Sequence, residues 1–332
     1  MGSRSETMKA TAMAHPNSAI VKYWGKSDEE LGLPLNSSAS VTIAPYCTRT
    51  TVEFSKAYAK DEAFVDNEKA SGETEVRIVK HLDRIRKLAG VSLRARVVSL
   101  NDFPLGCGFG SSASGFAALT LAASRASELD LRERELSILA RQGSGSACRS
   151  IPGGFVIWRK GERSEDSYAQ SIAEPGDIDM RILMVSVGKR KEISSAKGMT
   201  LAKTSPLMEA WLAQKDERIS SLTKAVRQKS IGEIGSISEA ESLCLHAICM
   251  TSNPPIIYWA PTTLRIMREV LIMREEGIEA YFSVDAGASV YVYTHPEHEI
   301  GVSTRLREIE GVERVLRCKV GSGARIVGKH LF

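Results

Sequence analysis

A chain of 332 residues, 43% apolar and 25% charged, is long enough for two domains and has the make-up of an ordinary globular protein. Its 44 basic residues against 40 acidic ones leave a net charge of +4, which suits an anionic small molecule. No run of five basic residues points to nucleic acid. No CxxC pairing and no ligand-spaced histidine cluster occurs, so neither a disulfide framework nor a metal site is expected, and reduced thiols suit the cytoplasm. No apolar stretch is long enough to span a membrane, and the opening MGSRSETMKA lacks an apolar signal core.

From Lys9 to Arg49 the pattern is short and strand-like, with turn residues at Gly32 and Pro34. Ile78, Leu82, Ile85 and Leu88 recur at steps of three or four, which predicts a helix over Glu73 to Leu88. Val91 to Leu100 reads as a strand and runs into a Gly-rich turn that opens a long Ala-rich helix. A second helix is expected from Arg132 to Gln142, and FVIW after Gly153-Gly154 begins another strand. The polar stretch from Gly161 to Asp179 reads as a surface connection. RILMVSVG is a buried strand candidate, followed by helices near 206–228, 231–250 and 261–276. YFSVDAGASVYVYT is a pair of strands around a tight turn. Strands mixed with helices, with few strict βαβ alternations, predict an α+β protein in two halves.

Two stretches carry chemistry. KYWGKSDEELGLPLNSSAS, from Lys22 to Ser40, gathers two lysines and a line of hydroxyls beside Tyr23 and Trp24. A solvated loop leading into a strand would look similar. PLGCGFGSS, from Pro104 to Ser112, sits between strand and helix, where small residues let backbone N–H groups approach an anion. It lacks the GK[ST] ending of a P-loop and the spacing of a dinucleotide fold. Ordinary helix capping by Ser111, Ser112 or Ser114 explains it equally well.

Together KYWGK, NDFPLGCGFGSSASG, RQGSGSACRS and DAG resemble the mevalonate diphosphate decarboxylase branch of the GHMP kinase superfamily, from Asn17 to Gly287. The resemblance implies a ribosomal-protein-S5-like domain over 9–185, a ferredoxin-like domain over 186–332, and an active site in the cleft between them. It also implies a homodimer acting on a phosphorylated mevalonate, which loses carbon dioxide and its 3-phosphate. On this resemblance Asp285 is the central carboxylate, Arg149 orients it and the substrate carboxylate, and Lys22 contacts the 3-phosphate. Tyr23, Trp24, Gly25, Lys26 and Arg77 grip the 5-phosphoryl end. Ser144, Gly145, Ser146, Ala147 and Cys148 cradle the mevalonate backbone, with Ser195 nearby. Cys148 is expected to be packed rather than nucleophilic, since this chemistry needs no covalent intermediate. Gly106, Gly108, Gly110, Ser111 and Ser112 form the phosphate loop.

Some residues depart from the family pattern. Ser27 stands where KYWGKRD has Arg, Ala196 beside Lys197 where an SSRxGM-like segment often has Arg or Thr, and DAGAS replaces DAGPN. Losing guanidinium donors near the tail favours a 5-monophosphate. Asp102 in NDFP, and the bulk of Leu105, Cys107 and Phe109, weigh against bound ATP. The leading expectation is therefore a mevalonate 3,5-bisphosphate decarboxylase that makes isopentenyl phosphate without a cofactor. Its alternatives are an ATP- and Mg-dependent diphosphomevalonate decarboxylase making isopentenyl diphosphate, and a GHMP small-molecule kinase.

Overall fold

The computed structural model describes residues 7–103, 109–188 and 192–332. The first half contains β1 (Thr7–Ala14), β2 (Asn17–Val21), β3 (Lys26–Asp28), β4 (Leu33–Pro34), β5 (Ser38–Ala44), β6 (Thr48–Ser55), β7 (Glu62–Val65) and β8 (Glu68–Lys69). Then follow α1 (Gly72–Ala89), β9 (Arg94–Asn101), α2 (Ser111–Ala126), α3 (Glu133–Gly143), β10 (Phe155–Trp158) and β11 (Ala169–Ala173). The second half runs β12 (Arg181–Ser186), α4 (Ser195–Ala202), α5 (Met208–Ala213), α6 (Lys215–Arg227), α7 (Ile231–Met250) and α8 (Pro261–Glu275). It ends with β13 (Ala280–Val284), β14 (Val290–Thr294), α9 (Glu299–Arg307), β15 (Arg314–Val320) and β16 (Arg325–Ile326).

One six-stranded sheet has the order β16-β1-β6-β9-β7-β8. Met8, Ala10, Ala12 and Ala14 alternate along β1 toward the helical layer, and Val52, Phe54, Ala95 and Val97 add to that face. α1 lays Ile78, Leu82 and Ile85 on it as the spacing predicts, whereas Leu88 in the last turn overhangs the core and is exposed. The small side chains of α2, from Ala113 to Ala126, let that helix lie close against the same layer.

The second sheet has eight strands, in the order β11-β10-β5-β15-β12-β14-β13 with β2 also paired to β5. It crosses from one half of the chain to the other where Ala44 pairs with Lys319 and Ile43 with Val320. β12 carries the unbroken apolar run 182–185 because both of its faces are covered. Ile182 and Met184 meet α6 and α7, while Leu183 and Val185 meet α8 and α9. The 185/186 division falls inside β12, and β16 returns to pair with β1.

Two expectations need correction. The connection from Gly161 to Asp179 contains β11, an edge strand paired with β10, hidden in sequence because most of its residues are only half-buried. The helix expected over 206–228 is two helices meeting at Gln214. Mixed helix and strand in two layered sheets is the α+β architecture.

Candidate active site

β2 is buried at every position and delivers Lys22 to the seam between the halves. The Lys22 side chain is 1% exposed, so its ammonium must find its partners within the protein. It finds three, matching its three donors: Ala19 O at 2.7 Å, Ser283 Oγ at 2.7 Å and Asp285 Oδ1 at 2.6 Å. Asp285 comes from the tight turn between β13 and β14, closed by the Gly287 N–H donating to the Asp285 carbonyl at 2.7 Å. Its side chain is 22% exposed, so the carboxylate is fixed from below and open above.

Arg149 lies in a short 3-10 turn, Gly145–Ser150, that follows α3. It is 3% exposed, donates to Ser38 Oγ at 2.8 Å and Asn17 Oδ1 at 3.3 Å, and lies 5.9 Å over the Trp158 ring. Its Nε has no hydrogen-bond partner among the described residues. Burial pulls its pKa down, and the charge of Asp285 partly opposes that. Among the described residues no carboxylate forms an ion pair with it. Lys22 is the cation that hydrogen-bonds the Asp285 carboxylate, whereas Arg149 donates to Ser38 and Asn17. Asn17 and Ser38 position Arg149, and Asn17 also donates to Ser150 Oγ at 2.7 Å and Ser146 O at 3.3 Å. Sequence reasoning missed Asn17. The available signal was a polar residue leading the strand that ends at Lys22.

The remaining predicted residues fall into two groups. Tyr23 packs on Trp158 with ring centroids 4.7 Å apart and planes tilted by 60°, and its hydroxyl is buried without a partner among the described residues. Gly145 must lack a side chain, since a Cβ there would come within 2.7 Å of that hydroxyl. Gly25 has φ +105°, and its Cβ would strike Leu35 at 2.6 Å, so only glycine allows the sharp exit from Trp24. Lys26 begins the β3–β4 hairpin and pairs with Glu29 at 2.7 Å. Arg77 on α1 donates to Ser112 Oγ and to Gly143 O, each at 3.2 Å, and Ser112 donates to Ser144 Oγ at 3.1 Å. That chain joins the start of α2 to the cradle loop. Ser195 opens α4, which packs through Gly198 on Trp24. Ala147 and Cys148 are fully buried, and burial pushes the Cys148 thiol up to about 12, the state of a packed group and not a nucleophile.

Gly106 and Gly108 lie outside the described residues. Gly110 has φ +69° and precedes α2, where Ser111 and Ser112 are the first helical residues. A Cβ on Gly110 would sit 3.2 Å from Asn17 O, so the helix start is held against β2. Leu105 and Cys107 also lie outside the described residues, while Phe109 is turned into the core against Tyr291, 2% exposed. Asp102 accepts the Cys47 N–H at 2.6 Å and lines a hollow of about 260 Å³ with Cys47, Arg49, Asp66, Asn67, Leu100 and Asn101.

LPLNSSAS, from Leu33 to Ser40, is split between β4 and β5, with Asn36 between them donating to Lys22 O at 2.9 Å. No grouping of three or more metal-ligating side chains occurs among the described residues. No described helix is long and apolar enough to cross a membrane.

Comparison with known proteins agrees with this geometry. Residues 14–169 match the diphosphomevalonate decarboxylase-like N-terminal domain, and residues 181–320 the mevalonate 5-diphosphate decarboxylase C-terminal domain. A phosphomevalonate decarboxylase from Haloferax volcanii is 37% identical over 319 residues, covering 93% of this chain and 98% of the relative. The mevalonate diphosphate decarboxylase of Enterococcus faecalis, in a structure concerned with ATP binding, superposes with TM-score 0.91 at 35% identity, covering 97% and 100% of the two chains. A complex of MDDEF with MVAPP, AMPPCP and magnesium gives TM-score 0.91 at 34% identity, with the same coverage. With both of its halves matched and Lys22, Asp285 and Arg149 gathered at one seam, the chain belongs to the mevalonate diphosphate decarboxylase family of the GHMP superfamily, carboxy-lyases of the mevalonate pathway.

Proposed function

We propose that the substrate carries a single phosphate at carbon 5, that ATP phosphorylates its 3-hydroxyl, and that isopentenyl phosphate is released. The observation that carries the monophosphate reading is Ser27. It is exposed, and its hydroxyl donates back to the carbonyls of Leu33 at 3.4 Å and Pro34 at 3.3 Å. The tail site therefore has Lys26 and Arg77 but no guanidinium at position 27, and one cation fewer suits one phosphate fewer. The name of the Haloferax relative supports the same reading.

Two of the reasons for doubting ATP lose force. Phe109 packs in the core, and Asp102 has a structural task in holding the Cys47 turn, with Arg49 in the same hollow. The start of α2, where Ser112 is exposed and the first turn carries no acidic residue, suits a polyphosphate, and two related structures are described with ATP or an ATP analogue. ATP supplies the phosphoryl group that turns the 3-hydroxyl into a leaving group; any Mg²⁺ arrives on its oxygens.

The chain's own residues do the rest. Asp285 accepts the proton of the 3-hydroxyl as that oxygen takes the phosphoryl group from ATP, with ADP as the leaving group, and then passes the proton to the 3-phosphate. When the C3–O bond breaks, phosphate leaves with the electron pair, and the carboxylate of Asp285, ionised again, faces the positive charge at carbon 3. Electrons of the C1–C2 bond then form the C2–C3 double bond as carbon dioxide departs. Lys22, with its three donors taken by Ala19, Ser283 and Asp285, steadies Asp285 and acts on the leaving phosphate through its charge alone, and Arg149 pairs with the substrate carboxylate. A homodimer in the cytoplasm completes the proposal.

The test is carbon dioxide release from 5-phosphomevalonate, 5-diphosphomevalonate and mevalonate 3,5-bisphosphate, each with and without ATP–Mg²⁺. The expected result is turnover of the monophosphate only with nucleotide. Turnover of the 3,5-bisphosphate with no nucleotide, without ATP-dependent turnover of the monophosphate, overturns the ATP reading. Ser27→Arg should improve binding of the diphosphate relative to the monophosphate by roughly tenfold, the effect of one charge-assisted contact. An unchanged preference in calorimetric titration means that position 27 does not face the tail.

A further inference from the structure

Helix α7 stands behind the Lys22–Asp285 pair, and its side chains hold the backbone on both sides of it. β13 lies at the edge of its sheet, so alternate N–H groups along it have no strand to bond. Side chains of α7 take them instead. Phe282 N donates to Glu239 Oε1 at 2.9 Å, and Val284 N donates to Ser242 Oγ at 2.8 Å.

The other partner is held from the same helix. Glu241 is 1% exposed, and its Oε2 accepts the backbone N–H of Lys22 at 2.9 Å. The same oxygen bonds the ammonium of Lys215 on α6, itself 2% exposed, while Arg218 Nε stands 3.9 Å from Oε1. A buried ion pair contributes little net stability, because desolvation offsets its attraction. What this one adds is an acceptor for a backbone N–H just past the end of β2.

We propose that Glu241, charge-balanced by Lys215, is a positioning residue for the decarboxylation. It fixes the backbone of Lys22, so that the ammonium stays on Asp285 while α7 fixes Asp285 from the other side. Glu241 need not touch the substrate. The inference rests on the roles given to Lys22 and Asp285 in the proposed function.

Two charge-neutral double variants separate positioning from simple packing. E241Q/K215M keeps an amide oxygen for the Lys22 N–H, whereas E241L/K215M fills the same space without an acceptor. Both are expected to fold by circular dichroism. The Gln double should keep kcat within about fivefold of the parent; the Leu double should lose about a hundredfold in kcat with KM within about threefold, because the substrate grip is untouched. Equal kcat values in the two doubles, or a KM rise as large as the kcat loss, overturn the proposal. If the Leu double does not fold, amide exchange at Lys22 in the unaltered protein decides. Exchange at least about a thousandfold slower than in an open chain is expected, and open-chain exchange overturns the tether. K22M keeps the backbone N–H and tests the other reading: parental turnover in K22M sinks the role of Lys22 itself, whatever the exchange at that amide shows.

Discussion

Asp285→Asn is expected to abolish nearly all carbon dioxide release, by at least about a thousandfold in kcat, with binding of phosphorylated substrate changed by no more than about tenfold. The amide has the shape of the carboxylate and can still accept from Lys22. It can neither take a proton from the 3-hydroxyl nor oppose positive charge at carbon 3. Lys22 keeps Ala19 O and Ser283 Oγ as partners, each at 2.7 Å, so the site should remain assembled. Steady-state carbon dioxide release and calorimetric binding, measured on one preparation, separate the two effects. A variant retaining half the parental rate removes Asp285 from the chemistry.

Arg149→Met should move stability and function in opposite directions. Arg149 is buried against Ser38, Asn17 and Trp158, all neutral, and its Nε has no hydrogen-bond partner among the described residues. A desolvated cation whose burial is only partly offset by the charge of Asp285 costs the free protein stability, and an apolar side chain of similar length removes that cost. The free variant should therefore melt at or above the parental temperature. Its KM should rise by at least about a hundredfold, since the substrate carboxylate loses a bidentate partner. The parent should gain more melting temperature from substrate than the variant does. A variant that melts several degrees lower with an unchanged KM contradicts the assignment of Arg149 as the carboxylate's partner.

Much of the fold was written in periodicity. Ile78, Leu82 and Ile85 announce α1, and the unbroken apolar run of β12 announces a strand covered on both faces. β11 was hidden because its Gln170 and Ser171 carry no apolar alternation, and α9 because its weak stripe resembles a loop. In the site, Lys22, Arg149 and Asp285 were legible through motifs. Their supports were not. Asn17 and Glu241 are polar side chains of a kind usually found in water, and only burial by distant segments turns them into anchors. Which cation Asp285 meets was equally invisible, because Lys22 and Arg149 both lie far from it in sequence. Where the bulk of Phe109 goes was hidden for a related reason: residue size says nothing about which way a side chain points.

The pairing of Ala44 with Lys319 has a consequence for how the protein is made. A ribosome adding about 5–20 residues per second separates the two partners by roughly 15 to 55 s. Throughout that interval the end of β5 at Ile43 and Ala44, which later meets β15, is an unfilled strand edge on an apolar segment. Such an edge can pair with another nascent chain. The soluble yield of this protein in a cell will therefore depend on what shields that edge during synthesis, more than on the stability of the finished molecule.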